Sequence, residues 1–436
     1  MIRLYADRYK EFRSVYFDTA FALICEMGTR NNKTLNDQMF HFPHAEYRVA
    51  RELVWLLCDY GLYSRLAGKG SDFADWKAED AYKIESLTKE ELKNALRPLI
   101  LGDVYTLRAA RELLRNPQED SDGGGYSREI QSVLKKYHLE YDPEADKKKG
   151  VEHLCEEDSK TALLPYIPFS AEKAVLKNLE KTSIMGKGQK EIRRILANRW
   201  AFLDYLVKNG YENLRDKQPG NKDSKWRQMK VSAWLVSLLG LRSCPYCNRN
   251  YIGTTGKKNL GYQLDHYINK SMYPFFCMSL FNLIPSCGVC NGGKSAVDEV
   301  DFYSPFEEEP DYDHDLDFAY IPPLFAEDGQ GYVRISTDID NPHYERYDAT
   351  IKALGLNECY KFNKEEADDF IRKMIYYPQS MIRELGQTIS GDSGNNVLAE
   401  QFVEVEMFGE GMVESDEYRK YPLSMMYRHL YRKYRK

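Results

Sequence analysis

A chain of 436 residues with a formal charge of −6, 43% hydrophobic and 29% charged, has the length for two or three domains and the composition of a globular protein. It is not a polycation as a whole, so any nucleic-acid surface has to be local. Apolar runs such as Ala233 to Val236 are too short for a bilayer, and MIRLYADRYKEF lacks the apolar core of a secretory signal, so a cytoplasmic protein with no membrane association is expected.

Residues 1 to about 115 read as helical. ARELVWLLCDYGLYSRLAG (50–68) carries apolar residues at helical spacing, and Thr88 with Glu91 forms a capping box that starts another helix. HFPH contributes His41 and His44; with no Cys or acid spaced beside them they are expected as surface or core histidines. Asn116-Pro117 stops the helical run, and QEDSDGGGYS and YDPEADKKKG are breaks. PYIPF is extended between its prolines, after which EKAVLKNLEK and KEIRRILANRWAFLDYLVKNG resume helical periodicity. QPGNKDSK is a loop, and WRQMKVSAWLVSLLGL is predicted as one helix running into the first cysteine pair. Beyond residue 305, YVRISTDI alternates as a strand, Asn363 and Glu366 cap a helix through EEADDFIRKMIYY, and the end from Pro422 reads as a basic helix with interleaved tyrosines.

Charge is unevenly spread. Residues 181–230 hold thirteen Lys/Arg against five Asp/Glu, and the last eighteen residues hold seven Lys/Arg and no acid. EEEPDYDHDLD (307–317) is strongly acidic. Such asymmetry permits a basic groove on an acidic protein, or simply solvated helix faces.

Between these regions the sequence is rich in Cys, Gly, Asn and Pro. Cys244 and Cys247 form one pair, Cys287 and Cys290 another, with thirty-nine residues between the pairs. Two residues between thiols let both sulfurs reach one ion from a single turn, and four thiolates suit a tetrahedral structural Zn²⁺. The other cysteines are scattered and are expected as reduced thiols. Asp265 and His266 lie between the pairs, and Asn291 directly follows the second. A carboxylate and an amide oxygen suit Mg²⁺ or Mn²⁺, and a neutral imidazole can take a proton from water. Neighbours in an extended strand point to opposite sides, so Asp265 and His266 serve one site only if the backbone re-aims one of them. GVCNGGKS (288–295) matches the P-loop pattern, but Cys290 falls inside it and Ser304-Pro305 leaves no room for the long helix that a P-loop opens.

CPYCNR, LDHY, NLIPSC and CNGGK in this order resemble the HNH endonuclease family, the ββα-metal nucleases, in a zinc-stapled form, over about 55 residues. More closely, they resemble HNH proteins of bacterial anti-phage systems, such as the nuclease component of Septu-type systems. The resemblance implies a mainly α protein with an embedded ββα-metal module (α+β). It assigns His266 as general base, Asp265 and Asn291 as ligands of one Mg²⁺ or Mn²⁺, and Asn282 as the residue holding the loop that presents His266. Lys294 and Arg249 are candidates for phosphate contacts. The expected blocks are 1–180 (helical), 181–240 (basic lead-in), 241–305 (nuclease module) and 306–436 (helical with a basic tail). The expected activity is phosphodiester hydrolysis, of DNA rather than RNA, with a separate ATPase chain as partner. The alternatives are a ribonuclease of the same chemistry and a non-catalytic zinc-binding adaptor.

Overall fold

The structure is a computed structural model and describes residues 2–29, 36–66, 73, 76–117, 124–143, 154–156, 163–220, 224–254, 259–294, 301–326, 329–391, 396–409 and 421–435. Helices dominate, and each of the four sheets among the described residues has two strands. No described helix is long and apolar enough to cross a membrane.

Close contacts divide the chain into two units, one of residues 1–10, 232–265 and 284–436, the other of residues 11–231 and 266–283. The expected blocks followed the chain; the packing does not. Residues 266–283 part from the expected central module because they are apolar. Phe275, Phe276, Cys277, Met278, Leu280 and Phe281 are all buried, and their removal from water favours packing into the second unit's core.

In the second unit that segment is fixed by the Tyr16 hydroxyl, which donates to the Met278 carbonyl (2.9 Å), and by Ser279 Oγ, which donates to the Leu99 carbonyl (2.5 Å). Against it pack the helices Lys89–Leu101, Val104–Arg115 and Lys187–Tyr205, and around these the helices Phe12–Thr29, Arg48–Asp59 and Phe169–Lys181. The predicted capping box holds: Thr88 Oγ1 accepts from the Glu91 N–H, and Glu91 Oε2 accepts from the Thr88 N–H. The helix predicted over 50–68 breaks after Asp59, because Gly61 takes φ +63°, and resumes as Tyr63–Leu66. Lys187–Tyr205 continues into a wider π turn, Leu206–Tyr211. Gly210 in that turn lies so near Met278 that a Cβ would come within 2.8 Å of its sulfur. The predicted breaks fall largely at 118–123 and 144–153, outside the described residues.

In the first unit, the Ile2 and Leu4 amides donate to the carbonyls of Pro245 and Pro305, and the Tyr9 hydroxyl donates to that of Leu235. The helix predicted over 226–241 is instead a 3-10 turn, Lys225–Gln228, followed by the helix Val231–Leu239. Strand Tyr262–His266 pairs with Leu283–Cys287, which runs into the short helix Gly288–Lys294. The predicted strand at 332–339 is Tyr332–Thr337, paired antiparallel with Leu316–Ile321. Helices Tyr344–Ala353, Leu356–Tyr360, Lys364–Tyr376, Gln379–Ser390, Asn396–Phe408 and Ser424–Tyr434 follow in this unit. The capping box expected from Asn363 is absent, because Asn363 Oδ1 accepts from Arg249 Nε (2.6 Å) instead.

Candidate metal centre and its neighbours

Cys244 opens a tight turn in which the Asn248 amide donates to the Cys244 carbonyl (2.7 Å) and the Cys244 amide to that of Asn250 (2.9 Å). Asn248 takes φ +52°, a conformation Asn tolerates better than other non-glycine residues. Its side chain donates to Ser243 Oγ and the Tyr421 carbonyl and accepts from Ser424 Oγ and the Met425 amide. The cysteine turn is thereby tied to the helix Ser424–Tyr434. The second pair sits at the end of strand Leu283–Cys287 and in the helix that follows.

The fold brings the four predicted cysteines together. All are buried, and their sulfurs lie within 4.8 Å of one another. Cys247 Sγ and Cys287 Sγ are 3.9 Å apart, against about 3.8 Å for the edge of a tetrahedron with zinc–sulfur bonds of ~2.3 Å. N–H groups converge on the sulfurs: Arg249 N on Cys247 (3.4 Å), Cys287 N on Cys244 (3.3 Å) and Asn250 Nδ2 on Cys287 (3.2 Å). Such donors stabilise thiolates. Thiol donation from Cys244, Cys247 and Cys290, aided by Asn250, holds Cys287 well below the ordinary thiol range, while sharing with the other three sulfurs and burial push Cys290 up. The cluster could hold a metal ion such as zinc. Among the described residues it is the only group of three or more His, Cys, Asp and Glu side chains so placed.

Asp265, 5% exposed, belongs to the same unit. Its Oδ2 accepts from the Tyr246 hydroxyl (2.7 Å) and pairs with Lys294 Nζ (2.9 Å), itself buried. Lys294, a phosphate candidate from sequence, is thus an ion-pair partner of the candidate metal ligand. Asn291 Nδ2 donates to Gln263 Oε1 (2.5 Å). Arg249, the other phosphate candidate, binds Asn363 and lies over the Tyr360 ring, 5.8 Å from its centre. The glycines of the P-loop-like stretch lie in helix Gly288–Lys294, so no phosphate-cradling loop forms there, and Ser295 lies outside the described residues.

His266 and Asn282 belong to the second unit. His266 Nε2 lies 3.0 Å from the Cys277 carbonyl. A carbonyl only accepts, so Nε2 carries the proton and Nδ1 is the basic nitrogen of the neutral ring. The imidazole meets the Tyr211 ring edge to face at 4.3 Å. Asn282, fully buried, accepts from the Ile268 amide (2.6 Å) and donates to the carbonyls of Ile268 (3.1 Å) and Phe276 (2.9 Å). It holds the segment that carries the Cys277 carbonyl and follows His266.

Asp265 and His266, adjacent in the strand, make their polar contacts with different residues, as alternation requires. Sequence reasoning missed Tyr246, Asn248, Asn250 and Tyr211. For Asn248 and Asn250 the signal was their place just after a Cys-x-x-Cys turn; Tyr246 and Tyr211 carry none, since any of thirty-three tyrosines could supply a buried hydroxyl or ring. No protein-family model, curated protein or solved structure matches the chain.

Proposed function

We propose that the chain is a metal-dependent HNH-type endonuclease with a structural zinc, acting on DNA in preference to RNA as the effector of an anti-phage system with a partner ATPase. The observation that carries this is the imidazole of His266. Its Nε2 proton is held by the Cys277 carbonyl, which makes Nδ1 the basic nitrogen of the neutral ring, as a general base requires. Asn282, bonded to the Ile268 carbonyl and to that of Phe276 just before Cys277, keeps the ring's anchor in place. Asp265 and Asn291 supply hard oxygen donors of the kind Mg²⁺ and Mn²⁺ take. Such an ion supplies charge stabilisation for a phosphodiester undergoing attack.

A second reading, a zinc-stabilised binding module without catalysis, is favoured by one contact: the Lys294 ammonium occupies the Asp265 carboxylate. The two are separated by incubating the protein with supercoiled plasmid and with total RNA, with Mg²⁺ or Mn²⁺, beside His266→Ala. Cleavage that requires both His266 and the metal supports the nuclease. Full activity in His266→Ala refutes the mechanism, and RNA as the one polymer cut moves the substrate while keeping the chemistry.

A further inference from the structure

A cleft of about 440 Å³ runs along the strand Tyr332–Thr337, in the first unit, walled by the helix Leu356–Tyr360 and the start of Lys364–Tyr376. Arg334, Lys361 and Lys364 face it, against one carboxylate, Glu358. Lys361 pairs with Glu358 (3.0 Å) and Lys364 bonds Gln330 (2.7 Å), but exposed Arg334 has no partner among the described residues. Phe362, outside the cleft lining but between its two lysines in sequence, is 82% exposed. The floor carries main-chain groups. Ile335 donates its N–H to Asn357 Oδ1 and accepts from Asn357 Nδ2, so its backbone faces away from the partner strand. Direction alternates along an antiparallel strand, so Val333 presents its N–H and C=O to the cleft.

We infer that this cleft binds a stretch of single-stranded nucleic acid, with Arg334, Lys361 and Lys364 on phosphates and Phe362 as a stacking platform for a base. The inference rests on the proposed function, since the bound strand is taken to be substrate. Three features select this ligand. Cations outnumber acids three to one around the cleft. An exposed aromatic ring lies between two of those cations in the chain, the pairing that sequence-tolerant single-strand binding uses. An added peptide strand, the other ligand such an edge takes, needs a run of open backbone groups, and Asn357 closes the edge at Ile335. The cleft is also bonded to the cysteine cluster: the Tyr360 hydroxyl donates to the Cys247 carbonyl (2.7 Å) and Arg249 Nε to Asn363 Oδ1 (2.6 Å). A strand lying in it is therefore anchored to the element that bears the candidate zinc.

The test is fluorescence anisotropy with short labelled oligothymidylate and oligouridylate, across a salt series. It uses the full chain carrying His266→Ala, without added divalent metal, so that binding is read apart from cutting. Adding Phe362→Ser is expected to weaken binding on the order of tenfold. Adding Arg334→Gln, Lys361→Gln or Lys364→Gln is expected to lower the slope of log affinity against log salt by about 0.7 each. These side chains are at the surface, and circular dichroism checks that the fold is kept. Unchanged affinity and slope, absence of binding, or preference for a labelled oligoglutamate peptide would each overturn the inference. Loss of binding in the cleft variants, with a native chain that never cuts, supports the cleft and removes the nuclease. A native chain that cuts, with cleft variants cutting as fast, removes the cleft and leaves the nuclease.

Discussion

Replacing Arg199 by Met should be the costliest single change in the helical unit. The guanidinium side chain is 2% exposed, and its Nη2 reaches Asp59 Oδ2 and Glu129 Oε2, both at 3.0 Å. Its Nη1 donates to the Tyr60 hydroxyl and lies 3.4 Å from Glu172 Oε1. One cation therefore serves carboxylates from the helices Arg48–Asp59, Arg128–Tyr137 and Phe169–Lys181. Asp59 and Glu172 are wholly buried. Burial raises both carboxyls, Glu172 to about 7, against the pull of Arg199. Methionine keeps much of the volume and removes the charge, leaving buried carboxylates uncompensated, for a loss of about 3–5 kcal/mol at pH 8. The pH dependence has a definite sign. A carboxyl raised in the folded state binds its proton more tightly there than in the unfolded chain. The contribution of Glu172 to native stability therefore falls as pH rises from the ordinary glutamate range to about 7, and is level above that. Without Arg199 the Glu172 pKa climbs further. Each added unit makes the loss at pH 8 exceed that at pH 5 by up to about 1.4 kcal/mol. Urea unfolding at both pH values, followed by tryptophan fluorescence, reads this, since Arg199 also lies over the Trp55 ring. A loss below about 1 kcal/mol, or the same loss at both pH values, would refute the reasoning.

Cys287→Ala should abolish bound zinc, measured by elemental analysis, and lower the melting temperature sharply, because metal binding energy is folding energy in a cluster of this kind; a variant that keeps its metal would show the cluster is not the site. Asn282→Ala removes three buried hydrogen bonds and should cost about 2–4 kcal/mol in chemical denaturation, and a near-neutral result would mean the His266 segment is held otherwise. Burial pulls His41 down, but hydrogen bonds to Glu129 and Glu52 outweigh it and hold the imidazole up at about 9. Its contribution is full below pH 6.5 and is lost as pH rises through about 9. An NMR titration of the His41 ring should therefore show a midpoint near 9, and a midpoint near 6.5 would break the assignment.

What was legible in the sequence was local. The Thr88 capping box, the alternation of Tyr332–Thr337 and the cysteine spacing each depend on a few neighbouring residues, and each is found. The misses are long-range. The Asn363 cap is lost because Arg249, over a hundred positions away in the chain, takes its oxygen. His41, expected as a surface or core histidine, also takes partners that spacing does not announce: its Nδ1 lies 2.8 Å from Glu52 and its Nε2 3.6 Å from Glu129. The division into two units cuts across the expected blocks in the same long-range way. Periodicity says that 275–281 is apolar, but not which core it fills.

The charged runs make the limit clearest. From composition the basic tail and the acidic stretch 307–317 permit a basic groove or solvated helix faces, and in the first unit they pair with each other. Asp313 takes Arg428 (2.8 Å) and Arg432 (2.9 Å), and Asp317 takes Lys433 (2.6 Å). Arg428 and Asp313 are largely buried there, so the pair joins the helix Ser424–Tyr434 to the hairpin beneath it. In the basic stretch 181–230, Arg199 is a buried cation held by the buried carboxylates of Asp59 and Glu172. A cation that meets a buried carboxylate of its own chain gives up much of its pull on a phosphate. Counting lysines and arginines therefore overstates the surface available to nucleic acid. The cations that matter are those the fold leaves facing a cleft, and Arg334, Lys361 and Lys364 sit in no run that composition would single out.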